Sequence, residues 1–164
     1  MPTHYKGTPE AERALNVFIN LIRASDAVVA HLSEQLESSG LTMGQFAVLE
    51  ALHHLGPMCQ KTLGEKLLRS GGNTTLVLDN LEKRGWVRRE RHKQDRRMFM
   101  IHLTPTGRRL IARVFPAHAV AVTREMRVLS SAEQETLRAL CRKLGLGGEE
   151  LCQERKKAMQ GGRP

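Results

Sequence analysis

Aromatic residues make up only 4% of the 164-residue chain, with one tryptophan, and there are three cysteines. Cys59, Cys141 and Cys152 are odd in number and widely spaced, with no CxxC pair, so neither a disulfide framework nor a zinc ribbon is indicated and reduced thiols are expected. The opening stretch MPTHYKGTPEAERAL holds no apolar segment of the signal-peptide kind. No unbroken apolar run approaches the roughly 18 residues of a membrane span. A cytoplasmic protein with no membrane partner is therefore expected. HExxH, GxSxG, P-loop and dinucleotide fingerprints are all missing, which argues against an enzyme. Histidines are more plentiful, at seven, but His53 and His54 are adjacent and diverge on a helix, and no HxxxH pair occurs. His31 and His118 could meet only through a dimer. No metal and no cofactor are expected.

Positive charge, by contrast, is abundant and concentrated. The chain has a formal charge of +9 and a pI near 10.1, which points to a polyanionic partner. Residues 83–107 read KRGWVRRERHKQDRRMFMIHLTPTG. Within 83–97, the eight cations Lys83, Arg84, Arg88, Arg89, Arg91, Lys93, Arg96 and Arg97 against Glu90 and Asp95 leave +6. The apolar content of 40% is enough for one domain, or one small module with helical extensions.

Helix signals place this charge in an ordered context. Thr8-Pro9 supplies an N-cap with proline at the first helical position, and Phe18, Ile22, Val29, Leu32 and Leu36 form one apolar stripe up to Ser38-Ser39-Gly40. A helix of this length exceeds what a compact small domain needs and is expected to pack against something outside the local fold. Thr42 and Gln45 match a capping box for a second helix that stops at Leu55-Gly56-Pro57. A short third helix is expected over residues 60–68, and a fourth from Ser70-Gly71-Gly72 to Gly85. Gly64 inside the third helix costs about 1 kcal/mol relative to alanine, which a close crossing by the fourth helix would justify. After Gly85 the apolar period changes from 3.6 to 2, with strands expected at residues 86–91 and from Met98 to Leu103 around a polar turn at residues 92–95. Phe99, Ile101 and Leu103 fall on one strand face. Thr104-Pro105 opens a fifth helix reaching about Val128, and Ser130 with Glu133 boxes a sixth that is expected to end near Gly145. The last residues read as a frayed, partly helical tail. There are no repeats and no low-complexity segments.

Two short helices followed by a basic hairpin define a winged helix-turn-helix. An exposed hairpin with arginine at its tip can reach a narrow minor groove, while phosphates demand cations. Ser70-Gly71-Gly72-Asn73-Thr74-Thr75 suits the adjoining major groove. Its glycines let the backbone approach, a helix N-terminus favours phosphate, and Asn or Thr side chains reach base edges or the backbone.

The segments LTMGQFAVLEALHHLGP, LGEKLLRSGGNTTLVLDNLEKRGWVRRE and QDRRMFMIHLTPTG, in this order and spacing, resemble MarR-type transcriptional regulators over about residues 10–145. The resemblance implies a mainly α fold with a small β-hairpin wing. A dimerisation helix would occupy residues 1–40, the winged helix-turn-helix 41–104, dimerisation helices 105–146, and a flexible or partly helical tail 147–164. It implies a homodimer on a pseudo-palindromic double-stranded operator, acting as a repressor relieved by a small phenolic or anionic effector. Arg97 matches the wing arginine that enters the minor groove, and Asp95 the acidic residue that orients the wing. Ser70, Asn73, Thr74 and Thr75 match positions facing DNA, with Arg89, Arg91 and Arg96 as phosphate partners. Leu76 and Asn80 depart from the usual pattern, in which polar or basic residues are common. Leu76 either touches a thymine methyl or packs.

The signal sensed is less apparent. Cys59 precedes the third helix near Lys61, where relatives usually have Thr or Ser; it is either a plain turn residue or a redox-active thiolate, since helix N-termini and cations lower thiol pKa. Phe46 and Phe115 either line an effector pocket or belong to the core. A winged module that binds RNA, or coats DNA without preference, is the alternative to a sequence-specific regulator, although aromatic stacking platforms are scarce.

Overall fold

The computed structural model describes residues 3–67, 71–91 and 98–161, with residues 71–73 and 148–161 described by their backbone alone. The described elements are helices α1 (Pro9–Glu37), α2 (Met43–Leu55), α3 (Gln60–Lys66), α4 (Gly71–Lys83), α5 (Pro105–Met126) and α6 (Ser131–Gly161), with strands β1 (Met58–Cys59), β2 (Val87–Arg91) and β3 (Phe99–Leu103). The chain divides into two compact units, residues 1–122 and 123–164.

Local chemistry sets the helix starts. The Thr8 side chain accepts from the Ala11 amide, and Pro9 follows it. Thr42 and Gln45 form the reciprocal capping box, with Thr42 N donating to Gln45 Oε1 at 3.1 Å and Gln45 N to Thr42 Oγ1 at 3.2 Å. Gly85 adopts φ +68, a left-handed conformation that ends the α4 turn and releases the chain into β2.

In the first unit, Leu36 of α1 packs with Leu49 of α2, Leu63 of α3, Leu78 and Leu81 of α4, Ile101 of β3 and Ile111 of α5. Burying each of these stabilises the fold by about 1.5–3 kcal/mol relative to exposure. Gly64 sits where α3 meets α4: a Cβ there would lie 3.3 Å from Thr74 Oγ1, the close crossing its presence in a helix implied. The core extends into α5 through Leu110, Ile111 and Val114.

The sheet has three strands in the order β1-β3-β2, all antiparallel. Met58 pairs with Ile101 and Val87 with Leu103. β1 was not anticipated, because two residues are too short to show an alternating pattern. Ile101 at the centre of β3 is fully buried and Leu103 partly, while Phe99 at the far end is exposed.

Two differences from expectation concern the long helices. α6 continues through Gly145 and Gly147 to Gly161 instead of ending near Gly145. Neither glycine adopts the positive φ that would cap the helix, and no proline lies between Gly145 and Gly161 to break it. α1 is long and apolar enough to cross a membrane by length and composition, with mean hydropathy 1.2 over its most apolar window. Asn16, Asn20, Arg23 and Asp26 break that stretch into pieces, which hides it from a search for unbroken runs. Its C-terminal half docks on α2 through buried Leu32 and Leu36.

Candidate nucleic-acid interface

The two faces of α4 determine which side chains can meet a ligand. Thr74, Leu78 and Leu81 recur at i, i+4 and i+7 and point into the core. Thr74 is 2% exposed and packs at the α3 crossing against Gly64. It is therefore a packing residue, and its expected DNA-facing role is corrected; the helical phase shared with Leu78 was the available signal. Thr75 and Leu76 lie on the outward side. The Gln60 amide of α3 donates from Nε2 to Thr75 Oγ1 at 2.9 Å, an orienting contact not foreseen from sequence. Asn80 turns its own amide back, Nδ2 donating to the Leu76 carbonyl at 3.0 Å. Asn73 lies in α4, described by backbone only, and Ser70 falls outside the described residues.

The arginines of the basic stretch divide by what surrounds them. Arg89 is 19% exposed and bridges α4 to β2: its Nη2 lies 2.6 Å from Asp79 Oδ1 and its Nη1 2.8 Å from Glu82 Oε2, while its backbone amide donates to Glu82 Oε1 at 3.0 Å. With both carboxylates engaged, Arg89 ties the wing to α4. Arg84 donates from Nη1 to the Gly40 carbonyl at 2.6 Å and stacks its guanidinium over Trp86 at 4.5 Å, so it locks the α4 end to the α1–α2 turn. Arg88 pairs with Glu90 on the exposed strand face, with His102 Nε2 3.5 Å from the same carboxylate. Arg91, at the outer end of β2, is exposed opposite Phe99. Asp95, Arg96 and Arg97 lie outside the described residues. Part of the charge concentrated in sequence is thus neutralised within the fold, much of it by Asp79 and Glu82 from the preceding helix.

Thr104 closes the wing root. Its amide donates to the Trp86 carbonyl at 3.0 Å and its hydroxyl to the Gly85 carbonyl at 2.7 Å. The same oxygen accepts from the Gly107 amide at 3.0 Å and so starts α5. Gly107 has no room for a side chain, since a Cβ would collide with the Trp86 carbonyl oxygen.

Cys59 is the N-cap of α3. Its Sγ accepts from the Thr62 amide at 3.4 Å and lies 3.0 Å from Thr62 Oγ1. These Thr62 hydrogen bonds hold the thiol pKa below its ordinary value against the effect of burial. The Lys61 ammonium points elsewhere, 3.9 Å from Glu65. Phe46 is sealed in the core, stacked with Phe115 at 6.5 Å and touching the His118 ring at 4.1 Å. Of the two places open to it from sequence, Phe46 takes the core. Phe115 is half-buried against the core and meets His54 edge-on at 4.7 Å. Among the described residues, no three His, Cys, Asp or Glu side chains come together in a way that could hold a metal.

A helix pair crossing at a glycine, a wing tied to its second helix, and an outward face on that helix define the class: a winged helix-turn-helix protein. The family model of the MarR family matches residues 41–99. The uncharacterized HTH-type transcriptional regulator YkoM of Bacillus subtilis is 35% identical over 142 residues, spanning 87% of this chain and 92% of that protein. The chain belongs to the MarR family and is a DNA-binding transcriptional regulator. The structure of Bordetella bronchiseptica BpsR, whose DNA binding is regulated by 6-hydroxynicotinic acid, superposes with TM-score 0.73 at 27% identity, over 79% of this chain and 98% of that one. Sco3205 of Streptomyces coelicolor, a MarR family regulator solved in complex with DNA, matches with TM-score 0.77 over 88% of this chain and 91% of its own. At 24% identity that likeness speaks for the fold alone.

Proposed function

We propose that the chain acts as a cytoplasmic homodimer that represses transcription from a pseudo-palindromic operator until a small phenolic or anionic effector binds, with no enzymatic turnover. The exposed apolar faces of the long helices carry this reading. Phe18, Ile22 and Val29 leave one stripe of α1 in water, with Phe18 60% exposed. Leu137, Leu140 and Leu144 do the same on α6, at i, i+3 and i+7. A second copy offers the same stripes, which a two-fold interface would cover. Two α4 helices would then address successive major grooves about 34–36 Å apart.

In this reading Arg97 enters the minor groove and Asp95 orients it. Arg91 and Arg96 neutralise phosphates, and Ser70, Asn73 and Thr75 face the major groove. The effector class is supported by the aromatic acid that regulates BpsR, and the half-buried Phe115–His54 edge is the surface such a ring would meet. The test is selection from random duplex DNA at about 150 mM salt, where non-specific binding is suppressed, with light scattering to give the mass of the protein. A dimer recovering a two-fold-related motif is expected. Retention of DNA without any motif would replace this reading with a coating or architectural one.

A second reading, redox control through Cys59, is favoured by the Thr62 hydrogen bonds that stabilise its thiolate. It requires peroxide to release wild-type protein from the operator and to leave Cys59→Ser bound. Equal release of both proteins would exclude it.

A further inference from the structure

Leu76 is 62% exposed on the outward side of α4, and the structure therefore removes the packing role that sequence alone left open for it. A single exposed leucine is ordinary on a protein surface. This one is distinguished by its place. Thr74, Leu78 and Leu81 define the buried face, and Leu76 lies two residues from both Thr74 and Leu78, close to 180° around the helix from that face. The polar neighbours are occupied: Asn80 is folded back onto the Leu76 carbonyl, Gln60 holds the Thr75 hydroxyl, and Asp79 is paired with Arg89. Leu76 is left as a large apolar side chain projecting from the second helix of a helix-turn-helix.

The floor of a B-form major groove presents hydrogen-bond donors, acceptors and one apolar group, the C5-methyl of thymine. A leucine there has no hydrogen bond to offer and one chemical match. We propose that Leu76 is a specificity-determining residue that reads a thymine methyl within each half-site. The contact would add sequence preference without adding charge, so it would leave the salt dependence of binding unchanged. This inference rests on sequence-specific recognition by a dimer, and its test separates the two.

Once a preferred site has been selected, each thymine in the half-sites is replaced in turn, symmetrically, by deoxyuridine, which removes the methyl and keeps every hydrogen-bonding group. Binding is measured for wild type and for Leu76→Ala, whose melting temperature is expected to match wild type because the side chain is exposed. Uracil at one position should weaken wild type by about fourfold per methyl, or about fifteenfold for both half-sites, the worth of one methylene-sized group removed from contact. Leu76→Ala should bind the thymine and uracil sites within about twofold of each other. A site whose thymines can all be replaced without loss overturns the role of Leu76 and leaves the regulator intact. So does a methyl that matters equally to both proteins. Failure to recover any preferred site overturns the inference together with the operator reading.

Discussion

Between Leu32 and Val114 the chain closes on itself, whereas the N-terminal half of α1 and the start of α6 leave apolar side chains uncovered. In the winged core, leucines and isoleucines from five helices and the sheet share one interior, and the connections are secured by hydrogen bonds and ion pairs: Thr42 to Gln45, Arg84 to Gly40, Arg89 to Asp79 and Glu82, Thr104 to Trp86. The long helices are equally well capped, with Thr8 at the start of α1 and Ser130 boxed by Glu133 at the start of α6. Phe18, Ile22 and Val29 of α1 and Leu137, Leu140 and Leu144 of α6 nevertheless remain in water. Good capping makes a helix; it does not give the helix a place to bury its stripe. The contrast separates the part of the chain that folds by local complementarity from the part that requires another surface.

The largest expected effect breaks the core. Gly107→Ala drives a methyl into the Trp86 carbonyl, backbone against backbone, so neither side can give by a rotamer change. A loss of at least about 3 kcal/mol is expected in urea unfolding followed by circular dichroism. Leu140→Glu with Leu144→Glu acts on the other side of the comparison. Light scattering should show a monomer, with association weakened at least about 100-fold, while the cooperative melting of the core persists. Loss of the core transition in this variant would mean that the two regions are not separable. Arg89→Ala leaves Asp79 and Glu82 facing each other on α4 without their shared cation and should cost about 1–2 kcal/mol, with part of the cost offset by solvent.

The smallest effect is pH dependence where α5 meets α2. His118 is 8% exposed against Phe46, its Nδ1 has no hydrogen-bond partner among the described residues, and burial holds its pKa below 6.5 against the opposing influence of Glu50. Below 6.5 the unfolded chain takes up a proton that the folded chain resists. Stability attributable to His118 is therefore complete above that pH and declines as pH falls, levelling off beneath the folded pKa. The slope cannot exceed one proton, about 1.4 kcal/mol per pH unit. Comparing wild type with His118→Leu between pH 7.5 and pH 5, roughly the window in which histidine titrates, should show a flatter profile for the variant.

Much of the fold was legible in sequence because its signals are local. Caps, capping boxes and the positive-φ glycine sit within four residues of the turns they direct, and Gly64 announced a close crossing because its cost needed a reason. The interface was less legible because charge counts do not say where a cation's partner lies. Arg89 looked like a phosphate ligand beside Arg88 and Arg91, yet its carboxylates come from Asp79 and Glu82, one element earlier. Thr74 and Thr75 are adjacent and chemically alike, and only the helical phase set by Leu78 and Leu81 sends one inward and leaves the other out. Phe46 carries no local signal that separates a pocket wall from a core residue, and only its packing among residues of other elements places it inside.

Thr104 ends one element and begins another with a single hydroxyl, joining Gly85, Trp86 and Gly107. The paired strands β2 and β3 are therefore anchored at their base. The register of Val87 with Leu103 and the first turn of α5 meet at one side chain. A change at Thr104 would thus be felt at once by the strand pair and by the helix that follows it.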